Sequence, residues 1–419
     1  MKKRLKTVDI LRPGSINAII GPVGTLKRML KNQDYFHSRG YDVTVFTNES
    51  LDIGPIKNPP AAKTQMNTSS LKSRIRRKVG SMLRMRAKRS VLLSKWFLGK
   101  DFKRTEKLVD YYLSLGRTPD IIEFHSDLEC FLYLKKRKEN KANTVMFLHS
   151  DGIPFKMTLQ YYPKLEGTAY LRQMIEDFAW TVEHTDRIVF IAKTGQTNFL
   201  QLYPQRSLAD TSVIINGIDD LTDHQKNEVN AIKMEKANST FKYRLCCTGT
   251  INTRKGHRII IEALHRLPSA LLEQVHVDFM GDGGERPVLE SLVKNYGLDD
   301  HVTFYGMIPN VEIYKYLAQN NIYILMSKNE GLPISIIEAM RAGLPIISTN
   351  VSGIPELINP EFNGFLLNPD VEELTKLLSD LPKYDWKTMG ENSRRRFENE
   401  FTFERMEREF CDMFDLIMS

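Results

Sequence analysis

The chain has 419 residues, of which 42% are hydrophobic and 26% are charged. These values are typical of soluble globular proteins, so they exclude a disordered chain and a fibrous repeat protein. The length is sufficient for two or three domains. No run of about 18 uncharged apolar residues occurs and the chain does not begin with an apolar signal core, so we expect a cytoplasmic protein. The four cysteines show no C-x-x-C spacing, which predicts buried reduced thiols rather than disulfides or a zinc site.

The net charge of +8 is concentrated in one segment. Between Ile53 and Lys100 there are 13 Lys or Arg residues and no Asp or Glu, so the rest of the chain is net negative. Apolar residues recur there at spacings of three and four, which predicts a helix with an apolar stripe beside a cationic face. The residues of this stripe are Leu71, Ile75, Val79, Met82, Leu83 and Met85.

Such a helix can lie in the headgroup region of an anionic membrane. We therefore predict peripheral membrane contact through residues 71–104, at the inner face of the cell membrane. The alternative is a solvated insertion whose charge only aids solubility. Nucleic acid is not expected as a partner, because Trp96 and Phe97 are the only aromatic residues in the segment and interleaved stacking residues are missing.

In chain order, the first half alternates short apolar runs with helical patterns. The helical patterns include Leu26 to His37 and Tyr170 to Glu183. Because strands that alternate with helices form parallel sheets, this half is predicted to be doubly wound. The predicted strands are Thr7 to Leu11, Tyr41 to Thr47, Ile121 to His125, Thr144 to His149, Arg187 to Ile191 and Ser212 to Asn216.

A polar stretch from Asp219 to Ser239 interrupts this pattern and is predicted to be a linker with a helical portion. The alternation then restarts, so we predict an α/β protein with two doubly wound, Rossmann-like domains facing a cleft, with ligands at the carboxyl ends of the strands. The expected domains are 1–220, with the basic insertion at about 53–104, and 240–385, followed by closing helices over 386–419. The strands of the second half are Tyr243 to Thr248, Val275 to Met280, Val302 to Tyr305, Ile322 to Met326, Pro345 to Ser348 and Gly364 to Leu367.

The most informative segment is SKNEGLPISIIEAM, from Ser327 to Met340, which follows a predicted strand. Pro333 suits the first position of a helix, and the amides of Ile334 and Ser335 would then face outwards, where the helix dipole favours an anion. Glu330 precedes this helix and Glu338 lies within it. Carboxylates accept hydrogen bonds from hydroxyls, so this order of groups fits a nucleotide sugar.

A second strand-end loop carries positive charge. Arg254 and Lys255 follow the strand that ends at Thr248 and precede a helical run. Two cations at this position can neutralise charge that develops on a departing diphosphate. An isolated basic turn is usually an ordinary surface turn. This one lies between a strand and a helix, as the Glu330 segment does.

These motifs resemble the nucleotide-binding domain of retaining glycosyltransferases of the GT-B fold, family 4. The signature is a pair of glutamates with seven residues between them, here Glu330 and Glu338. The resemblance extends through GLPIIS, SGIPELI and NGFLL downstream and through GDG and HVTFYGMI upstream. In the first half, GPVGTLKRML, RGYDVTVFT, PDIIEFHS, VMFLHSDG and VIINGID are similar to segments of that family in the same order.

The resemblance implies specific roles. Glu330 is the counterpart of a glutamate that contacts the hydroxyls of the donor sugar, and Glu338 of one that holds the ribose hydroxyls. Lys255 corresponds to a lysine that binds the diphosphate, and His149 to a histidine that reaches the donor. The residues implied to receive the donor are Gly331, Leu332, Pro333, Ile334 and Ser335, with Gly24 and Gly21 in a glycine loop of the first half.

One position departs from the family. The arginine that usually follows the glycine after the first strand of this domain is replaced by Thr250. We hypothesise that Arg254 supplies the missing charge.

The resemblance implies transfer of a sugar from a UDP- or GDP-sugar to a hydroxyl of a cell-surface polysaccharide or lipid-linked glycan, with retention at the anomeric carbon. No Asp-x-Asp motif occurs, so neither a metal nor another cofactor is expected. The alternatives are a sugar-nucleotide epimerase of the same architecture and a non-catalytic membrane-surface binding protein. The sequence does not identify the sugar, the base, the acceptor or the oligomeric state.

Overall fold

The computed structural model describes residues 4–16, 21–58, 83, 86–138, 142–236 and 240–419. The predicted apolar stripe from Leu71 to Met85 therefore lies outside the described residues, except for Leu83. The chain forms two units. The first comprises Met1–Ile191, Gly195–Ile214 and Glu407–Ser419, and the second comprises Ala192–Thr194 and Ile215–Met406.

The first unit is built on a six-stranded parallel sheet in the order β2-β1-β3-β4-β5-β6. Its strands consist mainly of buried β-branched and aromatic residues, as expected for a sheet covered on both faces. All six strands had been predicted from the sequence. They are β1 (Lys6–Leu11), β2 (Tyr41–Phe46), β3 (Ile121–Phe124), β4 (Asn143–Leu148), β5 (Arg187–Phe190) and β6 (Thr211–Val213).

The helices of this unit include two that replace one predicted helix. Leu26 to His37 was expected to be continuous, but the helix ends at Lys31 and a second begins at Gln33, with Asn32 between them. The helices are α1 (Gly21–Lys31), α2 (Gln33–Ser38), α3 (Ser50–Ile53), α4 (Val91–Ser114), α5 (Asp127–Lys136), α6 (Lys156–Tyr161), α7 (Ala169–His184) and α8 (Lys193–Leu202).

The second unit also contains a six-stranded parallel sheet, in the order β12-β11-β10-β7-β8-β9. Counted within this unit the order is 3-2-1-4-5-6, which is that of the Rossmann fold. The strands are β7 (Tyr243–Thr248), β8 (Val275–Met280), β9 (Val302–Gly306), β10 (Ile322–Leu325), β11 (Ile346–Thr349) and β12 (Gly364–Leu367). The α/β class and the doubly wound sheets are thus confirmed.

The predicted linker is instead a packed part of the second unit. Within it, α9 (Asp223–Lys236) buries Val229 in a small cluster with Leu221, Tyr314 and Ala318. The helical portion of the prediction is confirmed, but the segment is not a free linker, because one apolar face is enough to dock an otherwise polar helix. The remaining helices are α10 (His257–His265), α11 (Ser269–Leu272), α12 (Arg286–Asn295), α13 (Ile313–Ala318), α14 (Ile334–Arg341), α15 (Val371–Ser379), α16 (Trp386–Glu400) and α17 (Phe403–Met418).

The last helix of the chain has an apolar face that is buried. Met406, Phe410 and Phe414 on α17 are buried. Within the first unit, the ring of Phe410 stacks on that of Phe147 at a centroid distance of 5.6 Å. The four cysteines are buried free thiols, as predicted. Within the described ranges, no helix combines the length and apolar character needed to cross a membrane.

Candidate active site

The site in the second unit lies where the strand order reverses. The neighbouring strands β7 and β10 pair in parallel, with Tyr323 opposite Cys246. Beyond β7 the order continues to β8, and beyond β10 it continues to β11. Because the loops after these two strands diverge to opposite faces of the sheet, a crevice opens at their carboxyl ends, and this is where ligands bind in open parallel sheets.

Three charged side chains from the two loops meet in this crevice. Nζ of Lys255 lies 2.7 Å from Oε1 of Glu330, and Nη1 of Arg254 lies 2.8 Å from Oε2 of the same carboxylate. Glu330 and Lys255 are buried, at 7% and 9% exposure. The structure therefore brings together the predicted sugar-binding carboxylate and both predicted phosphate-binding cations.

The charge balance of this cluster is positive. Burial by itself raises the pKa of Glu330, but Lys255 and Arg254 outweigh that effect and hold it below its usual range. One carboxylate thus faces two cations, so the cluster has a net charge of +1. Such a partly buried positive group attracts a diphosphate more strongly than an exposed one does, because water screens it less.

The position of the basic loop depends on one glycine. Gly256 has φ of 72° and caps α10. A Cβ at this residue would lie 1.9 Å from the carbonyl oxygen of Met326 at the end of β10. Since only glycine permits both the left-handed conformation and this approach, Gly256 holds Arg254 and Lys255 against the neighbouring loop. The amide of Lys328 donates to the carbonyl of Arg254 at 2.8 Å and closes the contact.

The start of α14 presents free amide groups close to Glu330 in sequence. Pro333 was predicted to be the first helical residue, but it is the N-cap, and the helix begins one position later at Ile334. The amide of Ile336 donates to the carbonyl of Pro333 at 3.1 Å. The preceding amides of Ile334 and Ser335 belong to the first turn, where no helical carbonyl can accept from them. This end of the helix is suited to an anion.

The other predicted residues of this segment lie on the same loop and helix. Leu332 is buried and Gly331 is half-buried at the turn before α14. Glu338 follows on the second turn with a half-buried side chain. Its role with ribose remains a prediction.

Sequence reasoning missed the polar residues that hold Glu330 in place. Oγ of Ser327 donates to Oε1 of Glu330 at 2.8 Å. Oγ of Ser352 donates to Oδ1 of Asn329 at 2.9 Å, and the amide of Gly353 donates to the carbonyl of Gly331 at 3.0 Å. The positions of Ser327 and Asn329 within the motif were a usable signal, whereas the contribution of Ser352 depends on strand order.

In the first unit, three basic side chains lie at or just beyond the ends of neighbouring strands. Arg12 follows β1, His125 follows β3 and His149 follows β4. Nδ1 of His125 lies 2.8 Å from Nε2 of His149, and the two rings stack with an interplanar angle of 10°. His125 had been left outside the predicted site, and the structure places it in direct contact with His149.

A buried carboxyl group continues this chain of contacts. Oε1 of Glu123 lies 3.0 Å from Nε2 of His125, and Glu123 is fully buried. Burial raises the pKa of Glu123 to about 8 and, together with Arg12, lowers the pKa of His125 to about 3. Burial also lowers the pKa of His149, with a further contribution from His125. At neutral pH the side chains of Glu123, His125 and His149 are therefore uncharged, in contrast to the Glu330 cluster.

The two glycines predicted for a loop in the first unit lie elsewhere. Gly21 and Gly24 are in the first turns of α1, so the expected glycine loop is wrong at these residues. A run with two glycines resembled a loop, but helices tolerate glycine at their start. A role for these residues toward the donor remains a prediction.

In the residues that the structure describes, no three His, Cys, Asp or Glu side chains are grouped so that they could hold a metal ion.

Part of the second unit is similar to known proteins. Residues 229–399 match the family model of glycosyl transferases group 1. The putative colanic acid biosynthesis glycosyltransferase WcaL of Escherichia coli is 27% identical over 173 residues, which are 39% of this chain and 42% of WcaL. The N-acetyl-alpha-D-glucosaminyl L-malate synthase of Bacillus anthracis is 27% identical over 202 residues, 47% of this chain and 51% of that enzyme. The chain thus spans about half the length of these curated relatives, or less.

Solved structures match over nearly the whole chain. Sucrose-phosphate synthase from Thermosynechococcus elongatus has a TM-score of 0.72 at 19% identity and covers 99% of each chain. Anabaena HepE in complex with UDP has a TM-score of 0.64 at 16% identity, with 98% of this chain and 100% of HepE covered. These similarities confirm the GT-B fold.

Proposed function

We propose that this chain, whose residues 229–399 form a domain of the glycosyl transferases group 1 family, is a glycosyltransferase. It transfers a sugar from a nucleoside diphosphate sugar to a hydroxyl of a polysaccharide or lipid-linked glycan, with retention at the anomeric carbon. The observation that carries the proposal is the convergence of Lys255, Arg254 and Glu330 at the switch point of the second sheet.

In this proposal the cations bind the diphosphate of the donor. Cleavage of the glycosyl bond leaves a diphosphate with more negative charge than the bound donor has, so fixed positive charge stabilises the transition state more than the ground state. Lys255 and Arg254 supply it from side chains, and the amides at the start of α14 supply it from the backbone. The carboxylate of Glu330 holds both cations and accepts hydrogen bonds from sugar hydroxyls.

One observation on a structural neighbour supports a nucleotide-sugar donor, and the name of a relative supports a glycan acceptor. HepE, a structural neighbour, has been solved with UDP and with UDP-glucose. The relative WcaL is named for biosynthesis of a polysaccharide, colanic acid. The UDP or GDP donor, the absence of a metal requirement and the part played by His149 are further elements of the proposal.

The test compares charge removal inside and outside the crevice. Lys255→Ala and Glu330→Ala should each lower turnover of the nucleotide sugar about a hundredfold, the effect typical of losing one charge-stabilising group. Arg258→Ala removes an exposed cation three residues away and should leave turnover within twofold. The measurement is release of nucleoside diphosphate from UDP- and GDP-sugars in the presence of an acceptor extract, with UDP and GDP affinity from calorimetry.

Near-normal turnover in both crevice variants would contradict the proposal. Epimerisation of the sugar nucleotide without any acceptor would favour the epimerase. Binding of UDP or GDP with no turnover against any acceptor would favour a binding protein.

A further inference from the structure

The first unit contains an amphipathic cavity beside the two stacked histidines. Its volume is about 500 Å³, and it lies among α4, α5, α6, α7 and the ends of β3 and β4. Much of its wall is aromatic or aliphatic. Six of these side chains are Phe102, Phe131, Phe147, Phe155, Met174 and Phe178.

The polar groups on the wall are arranged for hydroxyls rather than for anions. His125 and His149 line the cavity, and their lowered pKa values keep both rings neutral. The carboxyl groups of Asp101, Asp127 and Asp177 also line it. Among the described residues the lining contains carboxyl groups and no Lys or Arg to hold a phosphate, whereas a hydroxyl can hydrogen-bond to a histidine or to a carboxyl group.

Helix α4 connects the cavity to exposed apolar surface. Leu98 and Phe102 line the cavity, while Leu92 and Trp96, on the first turns of the same helix, are 79% and 47% exposed. Nζ of Lys100 lies 3.3 Å from the centre of the Trp96 ring. An aromatic residue with a cation over its face, next to exposed leucine, is suited to the surface of a lipid assembly.

We infer that this cavity binds the acceptor and that the acceptor is a neutral amphiphile, with a hydroxylated sugar joined directly to a hydrocarbon or aryl group. The aromatic wall takes the apolar group, and the histidines and carboxyl groups take the hydroxyls. This inference rests on the proposed function and narrows it, because it excludes an acceptor made of carbohydrate alone.

The test uses two glucosides that differ only in their apolar group. Calorimetry should show that n-octyl β-D-glucopyranoside, kept below its micelle concentration, binds at least tenfold more tightly than methyl β-D-glucopyranoside. Met174→Trp places a larger side chain in the cavity and should abolish this preference. Ile175→Trp adds the same ring at a neighbouring exposed residue of α7 that does not line the cavity, and should retain it.

A second filling variant, Met157→Trp on α6, guards against a folding defect in the first. Equal affinity for the two glucosides in the unaltered protein would overturn the inference, and so would an undiminished octyl preference in folded forms of both filling variants. UDP and GDP affinity are measured in the same samples. Octyl binding without nucleotide binding would contradict the proposed function alone, and nucleotide binding without an octyl preference would contradict only this inference.

Discussion

The two units contain similar parallel sheets, but the contacting side chains at their strand ends differ in charge. They carry a net positive charge in the second unit and no net charge in the first. In the second unit, where β7 and β10 adjoin, the loops place two cations and a carboxylate in contact. In the first unit, where β1 and β3 adjoin, a buried glutamate and two histidines form a chain that is neutral at pH 7. The sheet provides a crevice in each case, and the loop residues decide what it can bind.

Contact with cations accounts for the difference in ionisation between Glu330 and Glu123. Glu330 stays ionised despite burial because two cations contact it. Glu123 is buried without a permanent cation in contact, so its charged form is disfavoured and its pKa rises. A positively charged crevice suits a diphosphate, whereas a cavity lined by uncharged histidines, carboxyl groups and aromatic rings does not.

The largest effect on stability is expected at Gly256, where the position of the basic loop in the charged crevice depends on a close backbone contact. Gly256→Ala should lower the free energy of unfolding by more than about 4 kcal/mol, since it combines left-handed strain with a clash against the Met326 carbonyl. Urea denaturation measures this change.

The matched control is Gly297→Ala. Gly297 has a similar φ of 67°, but an added Cβ would meet no atom within 4 Å. Its cost should be about 1 kcal/mol, from conformational strain alone. Similar costs at the two glycines would show that close packing does not hold the basic loop.

The second prediction concerns the neutral crevice and its dependence on pH. The folded pKa of Glu123, about 8, lies above its unfolded value, so the folded state binds more protons between the two values and stability falls as pH rises. Relative to Glu123→Gln, the unaltered protein should lose about 3 kcal/mol of unfolding free energy between pH 5 and pH 7, at roughly 1.4 kcal/mol per pH unit.

Denaturation of both proteins at several pH values measures this difference. Glu176→Gln, at an exposed residue of α7, serves as the control and should follow the unaltered protein. A constant difference between the Glu123→Gln variant and the unaltered protein would mean that Glu123 is ionised, and the contrast between the two crevices would then fail.

The smallest effect is expected for substitutions that test whether Arg254 supplies the positive charge missing at Thr250. Arg254→Ala should weaken UDP binding about tenfold, because a hydrogen bond to a charged group contributes about 1.5 kcal/mol or more. Adding Thr250→Arg to that variant should restore much of the affinity, since Thr250 is exposed and directly follows Gly249 in the basic loop.

Calorimetry with UDP measures both steps. The control, Thr253→Arg in the Arg254→Ala background, adds the same charge at another exposed position of the loop and should restore less. Equal recovery of UDP affinity from the two positions would show that affinity depends on the net charge of the loop rather than on where the charge lies.

The sequence alone determined the strands, the fold class and the charged site. The strands could be located because buried parallel strands are short apolar runs with clear boundaries, as in Val275–Met280. The site could be predicted because Glu330, Pro333 and the amides of α14 follow one another locally, and because Lys255 and Arg254 occupy the equivalent place after another strand.

Only the tertiary structure decided which distant groups meet. The contact of Glu123 with His125 and His149, and the cavity beside them, depend on the order in which strands pair and on how deeply each side chain is buried. The docking of α9 likewise depends on packing with distant residues, and at the helix break Nδ2 of Asn32 donates to Oε1 of the distant Glu407 at 2.7 Å. Strand order and the burial of polar side chains such as Glu123 arise from contacts between residues far apart in the chain, so local spacing does not show them.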